Sequence, residues 1–314
     1  MSSGPSSAVA PKERRAAPVA VVAAMRPKQW LKNLLVFAAP LAAGSIFQPD
    51  VFWPSVAAFV AFCLMSSATY LLNDVRDVEA DRAHPTKRER PVARGDLSVG
   101  LALGVAGALA IIAMAIAFAV NLGLAGVLLA YALFTTSYSL FLKHEPVIEL
   151  ALLAMGFLLR AIAGGVASDL PISQWFLIVA GFGSLFMAAG KRFSELERSL
   201  RATDDEHDAT QRALSTRRSL AGYTPAYLRF VWGASAAVTI TAYCLWAFDV
   251  STEPSTLPWA SWSVLPFVLA ILRYAADIDR GNAEAPEDVV LRDRVLLVLG
   301  LLWLVLFGLG ALGV

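Results

Sequence analysis

The chain has little charge, few histidines and almost no cysteine. Only 16% of its 314 residues are Asp, Glu, Lys or Arg, and 26 basic residues stand against 25 acidic ones for a formal net charge of +1. That near balance lacks the basic excess with which nucleic-acid-binding proteins attract phosphate backbones, so no nucleic-acid partner is expected. The two cysteines, Cys63 and Cys244, lie in apolar runs with no partner thiol and no metal-ligand spacing. They read as small buried hydrophobes, which leaves neither a disulfide framework nor a zinc site. The three histidines, His84, His144 and His207, are scattered and supply no candidate general base. A cleavable leader is not expected either. The apolar stretch 16–25 is short and runs into Arg26, Lys28 and Lys32 instead of a small-residue cleavage site.

Apolar surface is what the chain has in abundance. Hydrophobic residues make up 57% of it and the mean hydropathy is +0.61, too apolar for an ordinary soluble domain. Uncharged runs at 33–49, 51–73, 97–120, 121–142, 171–190, 230–248, 258–272 and 295–314 are helix candidates by length. A ninth segment, 146–167, joins them despite Glu149 and Arg160. The expected fold is all-α, a polytopic membrane bundle of about nine transmembrane helices. It forms one domain over residues 21–314, behind a disordered tail over residues 1–20 rich in Ser, Ala and Pro. Linkers at 44–50, around Asn121, at 168–173 and at 249–259 contain no Lys or Arg, whereas the opposite linkers hold nearly all of them. By the positive-inside bias the basic face and the N-terminus are expected in the cytoplasm.

On that face, Asn73-Asp74-Val75-Arg76-Asp77-Val78-Glu79-Ala80-Asp81 repeats Asn73, Asp77 and Asp81 at four-residue spacing, one face of a helix. Stacked oxygen donors repel one another unless a cation bridges them, and such donors suit Mg2+, which also binds substrate phosphates. The bland alternative is a solvated acidic face neutralised by Arg76 and Arg82. The following loop, His84-Pro85-Thr86-Lys87-Arg88-Glu89-Arg90-Pro91, sets three cations between prolines, where they can wrap a polyanion or anchor to lipid headgroups. Upstream, helical spacing pairs Lys28 with Lys32 and Gln29 with Asn33 beside Trp30, either as a phosphate-binding stripe or as an interfacial belt. Lys191 and Glu195 lie one turn apart, as an ion pair or split between phosphate and metal. Tyr138 can donate to an anion or anchor at the interface. Arg160 inside the bilayer needs a partner, and Glu149 and Arg229 suggest a polar seam through the bundle.

Asn73-Asp74-x-x-Asp77-x-x-x-Asp81 followed by His84-Pro85-x-Lys87-x-x-Arg90-Pro91 resembles the UbiA prenyltransferase superfamily, from Arg26 to the C-terminus. The resemblance implies a magnesium site at Asn73, Asp77 and Asp81 that takes a diphosphate. The family's second motif, Asp-x-x-x-Asp, is replaced here by Lys191 and Glu195. Arg26-Pro27-Lys28-Gln29-Trp30-x-Lys32-Asn33 together with Lys191-Arg192-x-x-Glu195 resembles one branch, the decaprenyl-phosphate phosphoribosyltransferases of mycolic-acid bacteria.

That branch implies a multi-pass plasma-membrane enzyme. It would move 5-phosphoribosyl from phosphoribosyl diphosphate to a polyprenyl phosphate for cell-wall arabinan synthesis, and it is compatible with a homo-oligomer. Asp77, Asp81, Lys191 and Glu195 would be catalytic. Lys28, Gln29, Lys32, Asn33, Lys87, Arg90, Tyr138 and Lys191 would bind the substrate. The acceptor phosphate is already an anion, so no general base is required. Conventional prenyl transfer to an aromatic or other acceptor stays open as an alternative. So does a transporter, although a transporter keeps its ionisable groups near the bilayer midplane and here they crowd one mouth.

Overall fold

The computed structural model describes residues 15–84, 86–140, 142, 145–201, 220–250, 257–283, 289–290 and 292–313. In chain order these form α1 (Ala17–Met25), a 3₁₀ helix (Pro27–Phe37), α2 (Ala38–Ala42), α3 (Pro49–Arg76), α4 (Val78–Ala83), a 3₁₀ turn (Lys87–Glu89) and α5 (Pro91–Arg94). There follow α6 (Val99–Val120), α7 (Leu122–Leu140), α8 (Ile148–Ala167), α9 (Gln174–Arg201), α10 (Pro225–Val250), α11 (Trp259–Asp279) and α12 (Arg294–Leu312). Eight of them, α3 and α6 to α12, are long and apolar enough to cross a membrane. The expected tail ends earlier than residue 20. Pro18 opens α1, and Ala20 and Ala24, one turn apart, pack with Leu71, Val92 and Ala102. Residues 1–14 of the tail lie outside the described residues.

The segment expected to be an α-helix over 33–49 is not one of these eight. Instead, 11 residues of 3₁₀ helix and five of α2 rise about 2.0 and 1.5 Å each, about 30 Å together and enough for the hydrocarbon core. One end is fixed by Arg26, which is bonded to Asp74 near the end of α3. The other is fixed by Gly44, whose backbone lies in van der Waals range of Ala311 near the end of α12. A 3₁₀ helix repeats every three residues, so Trp30, Asn33 and Val36 share its inner face, while Lys28, Leu31 and Leu34 face outward. The pairing of Lys28 with Lys32 and of Gln29 with Asn33 is thereby undone. The slimmer helix also approaches α8 closely, since a Cβ on Gly164 would collide with the carbonyl oxygen of Val36.

Two cores fill the bundle. In the first half, Phe62, Met65, Leu124, Leu128, Tyr131 and Leu159 interlock α3, α7 and α8. Helix α6 buries Ala102, Ala106, Ala113 and Ala117, a small-residue stripe that lets it lie tightly against its neighbours. Its other side, with Ile111 and Phe118, is exposed and suits lipid. In the second half, Phe186 and Phe193 of α9 pack with Leu228, Tyr274 and Ile278 of α10 and α11, and with Leu296 of α12.

Candidate active site

Ionisable side chains gather at the end of the bundle where α3, α7, α9 and α11 finish. Helix α3 ends at Arg76, yet the amides of Asp77 and Asp81 still donate to the carbonyls of Asn73 and Asp77, at 2.9 and 2.8 Å. The helical register therefore carries across the break into α4. Asn73, Asp77 and Asp81 remain in one turn-by-turn column on the backbone. Asp81 is buried and accepts from Arg90 Nη1 at 2.6 Å. The same nitrogen reaches Asp74 Oδ1 at 3.3 Å, and Arg26 Nη2 donates to that oxygen as well. Asp74 is 1% exposed, and its Oδ2 has no hydrogen-bond partner among the described residues.

A second cluster lies beside the first. Arg76 donates to the carbonyls of Ser139 and Leu140 at the end of α7, so it caps that helix and does not serve the acidic column. Tyr138, on the same turn of α7, donates to Glu149 Oε1 at 3.3 Å. Arg192 of α9 is buried and binds Glu149 at 2.7 Å and also Glu195. Lys191 lies 4.0 Å from Glu195. Arg160 does not join this seam. Its guanidinium donates to Asn33 Oδ1 at 2.7 Å, to the carbonyl of Gly156 at 2.6 Å and to Tyr131 at 2.7 Å, deeper in the bundle. Arg229 pairs instead with Asp279 at 3.3 Å, near the exposed ends of their helices. The expected seam is thus divided into separate networks, because Glu149 sits a full three turns from Arg160 along α8.

Sequence reasoning quoted Arg26, Asp74 and Arg192 within motifs but gave them no role. Asp74 stands inside the quoted motif but off its four-residue period, and Arg192 is masked by its neighbour Lys191. The remaining signal was arithmetic: buried Glu149 requires a cation. Of the expected binding residues, Asn33 is fully buried and turned to Arg160, Cys63 and Ser66. Lys28 and Lys87 are exposed, and Gln29 and Lys32 are half-buried.

Two of the three non-glycine residues at positive φ among the described residues flank these clusters, namely Arg26 at 55° and Val147 at 68°. The amide of Val147 donates to the hydroxyl of Tyr223 at 2.7 Å, which fixes the start of α8 two residues ahead of Glu149. Burial pushes the Tyr223 hydroxyl up to about 12, so it stays protonated at neutral pH.

No group of three or more His, Cys, Asp or Glu side chains converges into a metal cage among the described residues. Magnesium does not require one, because it binds through one or two carboxylates together with water and substrate phosphate. The donor set at Asn73, Asp77 and Asp81 is all oxygen and fits that ion.

A polytopic helical bundle with carboxylates, arginines and a lysine gathered at one end is built as a membrane-embedded transferase. The chain belongs to the UbiA prenyltransferase family, whose model matches residues 34–297. It is 49% identical over 288 residues to the decaprenyl-phosphate phosphoribosyltransferase of Corynebacterium glutamicum, covering 90% of this chain and 84% of that one. It is 47% identical over 292 residues to the protein of the same name from Mycobacterium tuberculosis, covering 92% and 93%. Its fold matches that of a UbiA homolog from Archaeoglobus fulgidus bound to GPP and Mg2+, with a TM-score of 0.66 at 16% identity over 94% of this chain and 100% of the other.

Proposed function

We propose that the protein transfers 5-phosphoribosyl from phosphoribosyl diphosphate to a polyprenyl phosphate and releases diphosphate. The observation that carries this reading is the 47–49% identity, along nearly the whole chain, to proteins bearing that name. The site chemistry supports it. A donor with a phosphate at each end of a sugar calls for more cations than a prenyl diphosphate does, and the second cluster offers Lys191 in place of a second acidic pair.

Asn73, Asp77 and Asp81 would hold Mg2+, which when bound neutralises charge on the departing diphosphate. Lys28, Lys32, Lys87 and Lys191 would supply charge-assisted hydrogen bonds to phosphate oxygens. An oxygen of the acceptor phosphate attacks the anomeric carbon as the bond from that carbon to the diphosphate breaks. The acceptor is already ionised, so no proton has to be removed, and rate enhancement comes from positioning and from stabilising the leaving group. Glu195 and Tyr138 would set the placement of Lys191 and Arg192. The basic end would face the cytoplasm, across the plasma membrane.

Membranes containing the protein, given radiolabelled phosphoribosyl diphosphate and a polyprenyl phosphate, should form a labelled lipid. Labelling from a prenyl diphosphate with an aromatic acceptor, and not from the sugar donor, would replace this reading with the conventional one. Asp77→Asn should abolish transfer while the protein remains folded in the membrane, and chelation should mimic it. Full activity in either condition would remove the metal from the mechanism.

A further inference from the structure

We infer that Arg26 and Arg90, held together by the buried Asp74, form the seat for the donor's second phosphate, the one remote from the diphosphate. This pair would select a phosphoribosyl donor over a prenyl diphosphate, which has no such group. The inference rests on the functional reading above and deepens it by naming residues for one end of the donor.

Both guanidiniums converge on one oxygen, Asp74 Oδ1, each through a single terminal nitrogen. Arg90 also uses that nitrogen for Asp81. Each arginine therefore keeps Nε and its other terminal nitrogen without a hydrogen bond to any described residue. Both side chains are 28% exposed. Two cations brought together on one carboxylate are half neutralised. When Asp81 serves the diphosphate end, an anion is the remaining partner that completes the charge balance. A phosphate matches paired guanidinium forks in both charge and geometry. Asp74 itself is too deeply buried to meet the donor, so it acts as a positioning residue.

The backbone of Arg26 points the same way. At φ 55° and ψ 62° it occupies the left-handed region, between the end of α1 and the start of the 3₁₀ helix. Glycine or asparagine is the ordinary occupant there, and an arginine kept in that conformation marks a side chain in use. Its guanidinium also lies 4.9 Å over the Tyr70 ring, which fixes its direction. Asp74 follows Asn73 directly in α3, so the arginine pair and the proposed diphosphate site share one turn of helix, close enough for a single sugar to bridge.

The test separates the two ends of the donor. Ribose 5-phosphate and inorganic diphosphate are titrated separately, with magnesium, into the purified full chain. Arg26→Gly relieves the backbone and removes the guanidinium. It should weaken ribose 5-phosphate binding by about ten- to hundredfold, the range of a charge-assisted hydrogen bond, and leave diphosphate binding intact. Arg26→Lys keeps the charge without the fork and should fall between. Asp77→Asn should show the mirror image, losing diphosphate and keeping ribose 5-phosphate.

Equal effects on both probes, an unchanged ribose 5-phosphate affinity in Arg26→Gly, or no ribose 5-phosphate binding by the wild type would overturn the assignment. Phosphoribosyl transfer by the wild type is measured alongside. If transfer proceeds and the arginine variants behave in these ways, only the seat is wrong. If the wild type transfers no phosphoribosyl group, the functional reading itself fails.

Discussion

Lys191 and Arg192 are adjacent in α9 but do different things. Arg192 is 2% exposed and locked between Glu149 and Glu195, so its charge is spent on structure. Lys191 is 36% exposed and lies at the far limit of its contact with Glu195, within reach of a ligand. Lys191→Ala should weaken donor use by about 1.5 to 3 kcal/mol, read as a ten- to hundredfold fall in kcat/KM for phosphoribosyl diphosphate. If Lys191 only paired with Glu195 on a helix surface, the loss would be below about twofold. Glu149→Gln should instead lower stability. Removing one partner of a buried pair costs about 3 to 5 kcal/mol, and the low end applies because Glu195 remains on Arg192. Thermal unfolding of the purified variant checks this, and an unchanged midpoint would mean that the pair is dispensable.

Helix ends decide how the elements meet. At the end of the bundle away from the charge clusters, Asn121 does two jobs between α6 and α7. Its Oδ1 accepts the amide of Leu124 at 2.7 Å, and its Nδ2 donates to the carbonyls of Val166 and Ala167 at 3.0 and 3.1 Å. One side chain thus caps the start of α7 and the end of α8. Asn121→Ala should cost about 1 to 3 kcal/mol, because the carbonyls of Val166 and Ala167 lose the Asn121 donor. Asn121→Asp keeps the cap at α7 and should restore part of that loss, as read from the two unfolding midpoints. The 3₁₀ helix Pro27–Phe37 shows a different element-scale effect. Its period is three and not four, so the residues expected to face a ligand together are dealt to different faces. Asn33 is turned inward to Arg160, while Lys28 stays outside.

Across the whole molecule, charge is distributed by ends. Arg26, Arg76, Arg90, Lys191, Arg192, Arg273 and Asp293 cluster at one end. The other end carries Asp50 and Asp169 but no Lys or Arg among the described residues, and is closed by contacts such as Ser168 to the carbonyl of Val51 at 3.1 Å. Asp293 caps α12 and accepts from Arg273 at 2.6 Å, a bond that holds its carboxyl below the usual carboxylate range. The proposed orientation, with the basic end in the cytoplasm by the positive-inside bias, is open to a labelling test. A cysteine at Gln48, on the end without Lys or Arg, should react with an impermeant thiol reagent in intact cells, and one at Thr86 should react only after permeabilisation. Both native cysteines lie within spans and contribute little background. Reversed labelling would turn the site outward, away from a cytosolic sugar donor.

The amino-acid sequence by itself determined the membrane class, the all-helical fold, the single basic-rich end and the motif spacing of Asn73, Asp77, Asp81, Lys191 and Glu195. Each of these is written in local composition and short-range periodicity, which follow directly from the length of a bilayer and the pitch of a helix. Only the tertiary structure decided that Pro27–Phe37 is a 3₁₀ helix, that Arg160 is satisfied by Asn33 and Tyr131, and that Glu149 belongs to Arg192. It alone brought Arg26 and Arg90 onto Asp74, across 48 and 16 residues of chain. The physical reason is that a buried charge takes whichever partner the packed helices bring within hydrogen-bonding distance, and that choice depends on neighbours in space and leaves no spacing in the sequence.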